Sequence, residues 1–267
     1  MSNNEKINED LQLRMDFALE LVKLCGDIIR KKWSTPGEIQ TKSDGSWVTD
    51  LDQFIETEIR NAITEKFPDD GIIGEEFQHL NKRGEYTWTV DPIDGTSSLV
   101  AGVPLFGTII GVIFNKKPRI GVIHIPLLDE TVYAREGKGC WWKPSFSPQL
   151  LKVNVKNNSN FKNCTFSYSA PEYFVRARSQ KIIKHARSKF GYERMWGDCY
   201  GHLLVATGRL DVMIDPMLKI WDYVPLDVIL SEAGGVLCDI KGKLGLEKES
   251  GVSGNELLVS EFLKSLK

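Results

Sequence analysis

Apolar positions along this 267-residue chain change period several times, and the changes mark out its elements. Leu11, Met15, Ala18, Leu21, Val22, Cys25, Ile28 and Ile29 recur at helical spacing. They predict a helix capped by Asn8 or Asp10, closed by Arg30-Lys31-Lys32 and broken at Ser34-Thr35-Pro36-Gly37. Two short extended segments follow, at 39–42 and 47–49, with a turn over Ser43-Asp44-Gly45-Ser46 between them. A second helix begins at Asp50 or Asp52, turns Phe54, Ile55, Ile59, Ala62, Ile63 and Phe67 inward, and ends at Pro68-Asp69-Asp70-Gly71. Ile72-Ile73-Gly74-Glu75-Glu76 predicts a strand with a charged end, and 78–85 a polar, mobile loop.

An apolar, β-prone run from Tyr86 delivers the chain to Asp91. Phe106 to Phe114 and Arg119 to Ile125, joined by Asn115-Lys116-Lys117-Pro118, predict a hairpin, and 131–135 a further strand. Gly137 and Gly139 suggest a tight turn before Trp141 and Trp142, which read as lobe-interface or core residues as readily as a ligand platform. Downstream, 161–168 reads as a strand, 171–189 as a basic helix, and 193–201 as the entry to a helix through Leu203, Leu204 and Ala206. A strand at 210–214 precedes a helix opened by Lys219-Ile220-Trp221-Asp222 and ended by Gly234-Gly235. Closing strands at 236–240 and 256–259 and a terminal helix at 262–266 complete the pattern.

Composition narrows the class. Hydrophobic residues at 42% and charged residues at 26% suit a globular enzyme with a substantial core. The length fits one domain, with an N-terminal lobe of about 1–150 and a C-terminal lobe of about 151–267. A net charge of −2 gives no footing for nucleic acid or an anionic membrane. The basic helix at 171–189 lacks the interleaved aromatics of a stacking surface, so it reads as a solvated face. Five scattered cysteines show no zinc spacing and read as reduced thiols. Residues 1–10 carry no apolar signal core, and the longest apolar run, 106–114, is too short to cross a bilayer. The expectation is a cytoplasmic protein.

The chemistry concentrates in Trp88-Thr89-Val90-Asp91-Pro92-Ile93-Asp94-Gly95-Thr96-Ser97-Ser98. Pro92 fixes its own φ and biases Asp91 toward an extended conformation, so Asp91 and Asp94 can converge from a strand end and the turn after it. Gly95 lets the backbone approach a ligand, and the following N–H groups can face an anion. A carboxylate pair beside such N–H groups suits a divalent metal that itself holds a phosphate oxygen. The plain alternative makes Asp91 and Asp94 turn and N-cap residues, and Asp52, Asp198 and Asp222 helix N-caps.

Asp-Pro-Ile-Asp-Gly-Thr, with Gly74-Glu75-Glu76 before it and Trp221-Asp222 far downstream, resembles the inositol monophosphatase family of metal-dependent, lithium-sensitive phosphatases. The resemblance covers nearly the whole chain. It implies an α/β (α+β) fold, a layered αβαβα sandwich of the type shared with fructose-1,6-bisphosphatase. It implies Mg²⁺, two or three ions per active site, held by Glu75, Asp91, the carbonyl of Ile93, Asp94 and Asp222. Asp91 would bridge two ions. Thr96, supported by Asp52, would orient the attacking water, and Gly95, Thr96 and Ser97 would bind phosphate oxygens. Lys42 and Asp52 match positions close to the metals, and Glu76 is a weaker candidate beside Glu75. Family members are commonly homodimers.

Trp196-Gly197-Asp198-Cys199-Tyr200-Gly201 resembles the histidinol-phosphate phosphatase branch, where inositol phosphatases carry small residues. Histidinol bears an ammonium and an imidazole, which Asp198 would balance, and inositol has only neutral hydroxyls. Asp215 matches an acidic substrate position, and Arg194 is a further candidate. With Asp94 and Asp222, these make up the expected substrate contacts. The expected reaction is hydrolysis of a small phosphate monoester, L-histidinol phosphate first. The alternatives are an inositol-1-phosphate or sugar-phosphate phosphatase, fructose 1,6-bisphosphate included, and a silent relative that binds ligands or a protein.

Overall fold

The computed structural model describes residues 3–43 and 45–266. Helix α1 (Asn3–Lys32) begins before the expected caps at Asn8 and Asp10. The reason is Ile7, which packs against the core one turn before Leu11 and extends the apolar stripe backwards. Strands β1 (Ile39–Thr41) and β2 (Trp47–Thr49) form an antiparallel pair. The turn expected between them falls partly outside the described residues, at Asp44. Helix α2 (Asp50–Lys66) follows, with Thr49 as its N-cap.

Seven strands make the first sheet, in chain order across it: β3 (Gly71–Gly74), β4 (Tyr86–Asp94), β5 (Gly107–Phe114), β6 (Lys117–Ile125), β7 (Glu130–Arg135), β8 (Cys140–Lys143) and β9 (Leu151–Val153). Only β3 and β4 are parallel, and the short helix α3 (Thr96–Val100) lies between β4 and β5. Every residue of β5 is buried, because both faces of the sheet are covered. Ile110, Val112 and Phe114 meet α1 and α2 in one core cluster. Ile109 and Ile113, alternating with them, join a second cluster on the opposite face.

A five-stranded sheet, ordered β11-β10-β12-β14-β13, comprises β10 (Thr165–Tyr168), β11 (Tyr192–Arg194), β12 (Val212–Asp215), β13 (Val236–Cys238) and β14 (Gly251–Gly254). Helices α6 (Asp198–Ala206) and α7 (Ile220–Glu232) supply much of the second cluster, which also takes Met213 and Leu237 from this sheet. They form the middle layer between the sheets. Beyond the second sheet, α5 (Gln180–Lys189) and α8 (Glu256–Lys264) close a third cluster around Phe166, Phe190 and Phe262. The layers therefore run αβαβα, the expected sandwich.

Three local expectations fail. Residues 256–259 are helix, not strand: Asn255 Oδ1 accepts the N–H groups of Leu257 and Leu258, and Leu258, Val259, Phe262 and Leu263 form one buried helical face. A four-residue apolar run cannot by itself distinguish the two periods. The single helix expected over 171–189 is two, α4 (Pro171–Arg176) and α5, broken where Arg178 takes φ 51°. The strand expected from Phe161 starts only at Thr165, after a 3₁₀ turn over Phe161–Asn163. Strands β8, β9, β11 and β14 were not foreseen.

Trp142 packs on the second cluster and donates Nε1–H to Glu130 Oε1 at 2.6 Å, which fits the core reading of the tryptophan pair. All five cysteines are free and buried. Among the described residues no helix is long and apolar enough to cross a membrane.

Candidate functional site

β4 is the spine of the site. Trp88, Thr89 and Val90 are buried, and the pairing of β4 with β5 slips between Asp91 and Asp94. The bulge turns both carboxylates toward one cleft. Ile93 N–H donates to Asp91 Oδ1 at 3.0 Å, and Thr108 Oγ1 donates to the Pro92 carbonyl at 2.8 Å, which pins the bulge. Gly95 then takes φ 89°, a left-handed conformation that favours glycine, and α3 begins.

α7 carries Asp222 to the same place. It crosses β5 and β6 where a Cβ on Gly121 would meet the Pro225 carbonyl at 2.2 Å, and one on Gly111 would meet Val224 at 2.9 Å. Glycine at both positions lets the helix lie that close. Asp222 accepts Lys219 N–H on Oδ2 at 2.7 Å. Carboxylate oxygens of Asp91, Asp94 and Asp222 lie within 4.8 Å of one another. Glu75, just past β3, adjoins them, and Lys42 Nζ bridges Glu75 Oε1 at 2.5 Å and Glu76 Oε1 at 2.8 Å.

Electrostatics follow from this crowding. Burial, then Glu75, Asp94 and Asp222, hold Asp91 well above the usual carboxylate range. Burial first pushes Asp94 up to about 7, although Cys199 N–H donates to its Oδ2. Asp222 is likewise raised by burial and then by Asp94. Burial disfavours the Lys42 ammonium, but Glu75 and Glu76 outweigh it and hold the lysine protonated. Burial and Glu75 raise Glu76 to about 7. Such mutually repelling carboxylates, all hard oxygen donors, fit a divalent cation, which would relieve the repulsion.

Asp52 and Thr96 form a linked pair. Asp52 Oδ2 accepts Thr49 N–H at 2.9 Å and the Thr49 hydroxyl, and Oδ1 accepts from Thr96 Oγ1 at 2.9 Å. Thr96 Oγ1 also lies 3.1 Å from the Ile93 carbonyl. Burial raises the pKa of Asp52. None of Asp52, Asp94, Asp198 and Asp222 is an N-cap: Thr49, Gly95, Gly197 and Lys219 hold those positions. Asp52 and Asp222 are third helical residues, and each accepts the N–H of its own cap residue.

The cleft, about 120 Å³, is lined by Glu75, Asp91, Ile93, Asp94, Gly95, Thr96, Ser97, Asp198, Asp215 and Asp222. Lys42 and Asp52 sit behind this lining, bonded to Glu75 and Thr96. Arg194 does not line it: exposed on edge strand β11, it donates Nη1–H to the Glu193 carbonyl at 2.7 Å and lies over Trp196. Asp198 is the first residue of α6, at φ 56°, and its Oδ2 would be 3.1 Å from a Cβ on Gly95. Burial, then Asp94 and Glu172, raise it to about 8, and burial and Asp198 raise Asp215 to about 7. Ser169 Oγ and Met217 N–H donate to Asp215 Oδ1 at 3.3 and 3.1 Å.

The lining also includes Trp47, Tyr173, Arg176, Met217 and Trp221, which sequence reasoning missed. Trp221, next to Asp222, carried the only usable signal. Tyr173 and Arg176 arrive on α4, whose position depends on tertiary packing.

A sandwich with an acidic cluster beside a glycine turn at the start of a short helix defines a class of metal-dependent enzymes for anionic substrates. Residues 10–266 match the model of the inositol monophosphatase family. The chain is 35% identical over 258 residues to a histidinol-phosphatase of Chlorobaculum parvum, covering 96% of each. It is 28% identical to a fructose-1,6-bisphosphatase/inositol-1-monophosphatase of Thermotoga maritima, covering 94% of each. The solved structure of the Thermotoga maritima IMPase superposes with a TM-score of 0.84 at 27% identity, over 95% of this chain and 96% of that one. The chain belongs to the inositol monophosphatase family, which is metal-dependent, and is a phosphoric monoester hydrolase.

Proposed function

We propose that this enzyme hydrolyses L-histidinol phosphate, with Mg²⁺ as its metal. The observation that carries the substrate reading is the pair Asp198 and Asp215, which face one cleft with Asp94; an ammonium or imidazolium entering there favours their ionised form and is balanced by it. Glu75, Asp91, the Ile93 carbonyl, Asp94 and Asp222 would hold two or three ions. Bound there, Mg²⁺ would neutralise phosphoryl oxygens, acidify a water and stabilise the leaving alkoxide.

The protein's own groups do the rest. Thr96 has one hydroxyl proton, which it donates to Asp52 Oδ1. Its lone pairs are then free to accept a proton from the attacking water, while its own proton passes to Asp52. Burial makes Asp52 a better proton acceptor than an exposed aspartate. The N–H groups of Gly95, Thr96 and Ser97 hold phosphate oxygens at the start of α3. Lys42 orients Glu75 through its 2.5 Å contact. Arg194 has no contact with substrate in this reading.

The same reading takes the chain as one domain of two lobes, dividing near residue 150, and as a homodimer in the cytoplasm. Five buried, unpaired thiols support a reducing compartment. Sedimentation at equilibrium tests the dimer.

Phosphate release with Mg²⁺, compared across L-histidinol phosphate, inositol 1-phosphate and fructose 1,6-bisphosphate, tests the substrate. The expected preference in kcat/KM is ~100-fold for histidinol phosphate, about 2.7 kcal/mol in transition-state binding. A preference for either of the others would replace it with the activity that the Thermotoga maritima relative's name describes.

A further inference from the structure

One aromatic group in the cleft has no part in the chemistry above. Tyr173 stands on α4, which follows the end of β10, and Phe174 beside it is buried in the third cluster and anchors the helix. Tyr173 is half-buried and lines the cleft with Gly95 to Ser97 and with Asp198 and Asp215. Its hydroxyl neighbours Ser97 and Asp198, and burial followed by Asp198 pushes its pKa up to about 12, so it is a neutral phenol at working pH. The Arg176 guanidinium lies 5.5 Å from its ring centroid. Arg176 Nη2 also donates to the Gly45 carbonyl at 3.3 Å, tying α4 to the turn between β1 and β2. The ring therefore stands on an anchored helix, between the phosphate end of the cleft and its acidic wall.

Tyr173 combines apolar surface, a hydroxyl and an adjacent carboxylate. An imidazole-bearing ammonium alcohol complements all three, by ring packing, hydrogen bonding and charge. A polyol does not, because its hydroxyls would lie against the ring without partners. We propose that Tyr173 is a specificity-determining residue that contacts the leaving alcohol and favours a planar, nitrogen-bearing, cationic group over a polyol. This rests on the histidinol-phosphate reading.

The test measures kcat and KM for L-histidinol phosphate, inositol 1-phosphate and glycerol 2-phosphate, and Ki for L-histidinol, in wild type, Tyr173→Phe and Tyr173→Ala. Tyr173→Ala is expected to raise KM for histidinol phosphate and Ki for histidinol about tenfold, and Tyr173→Phe about threefold. Any loss with glycerol 2-phosphate is expected to be at least ~fivefold smaller. Equal losses on all substrates, or none, would overturn the assignment. If Tyr173→Ala does not fold, Tyr173→Phe and the histidinol Ki decide it. A wild type with no preference for histidinol phosphate would sink the substrate reading and the Tyr173 assignment together. A wild type that keeps the preference, with Tyr173 variants that leave every substrate ratio unchanged, would overturn the Tyr173 assignment alone.

Discussion

Two halves of one cleft are built differently. The acidic cluster of Asp91, Asp94, Asp222 and Glu75 comes from β4, α7 and the end of β3, all packed on the seven-stranded sheet. The β4 bulge fixes Asp91 and the Lys219 N–H fixes Asp222, both through local backbone, while the Lys42 side chain holds Glu75 and Cys199 N–H holds Asp94. The opposite wall, Asp198, Asp215 and Tyr173, comes from the start of α6, the end of β12 and the short helix α4. Asp198 stands at a positive φ, Met217 N–H and Ser169 hold Asp215, and Tyr173 is placed by the packing of Phe174 beside it in the third cluster. The first half is where phosphate chemistry needs rigid, repeated geometry, and the second is where a different alcohol can be read without disturbing it.

The largest effect should come from the first half. Asp91→Asn is expected to lower kcat/KM on every phosphate monoester by ~10³-fold or more, about 4 kcal/mol, and to abolish the rise in thermal midpoint on adding Mg²⁺. If Asp91→Asn keeps activity on one substrate, the division fails. Thr96→Val keeps shape and removes the hydroxyl bonded to Asp52. It should cost roughly 10²-fold in kcat with little change in KM, measured in the same assay.

The smallest effect is on stability. Asp94, Asp215 and Asp198 titrate at about 7, 7 and 8 in the folded protein, against a usual aspartate value near 4. Between those limits the folded state keeps protons that the unfolded chain releases, so stability falls as pH rises through the window. In EDTA, the thermal midpoint should drop by about 5 °C between pH 6 and 9, roughly 2 kcal/mol for a chain this size. Mg²⁺ should restore more of it at pH 9 than at pH 6. A midpoint that climbs with pH in EDTA would contradict the carboxylate assignment.

The two halves also differ in how far the sequence exposed them. Asp91 to Ser97 lie within seven residues, so strand, bulge and turn are local and the motif could be read directly. Asp222 was reachable only because Trp221-Asp222 matched a family motif, since nothing in its spacing ties it to β4. Asp198 and Asp215 were legible through resemblance to family motifs, with substrate chemistry agreeing at Asp198. Arg194 was a further candidate from the same stretch of chain, and the edge position of β11 carries it away from the cleft. Tyr173 escaped because its helix was read as part of a longer one, and the break at Arg178 leaves no mark in hydrophobic period. Residues 256–259 failed for the same reason, a run shorter than the periods it had to separate.

The most direct test of the divided cleft is the ratio of kcat/KM for L-histidinol phosphate to that for inositol 1-phosphate, in wild type and in Asp198→Asn, with saturating Mg²⁺. The account predicts that the ratio falls about tenfold in the variant, mostly through histidinol phosphate. Equal losses on both substrates would place Asp198 with the acidic cluster and contradict the division.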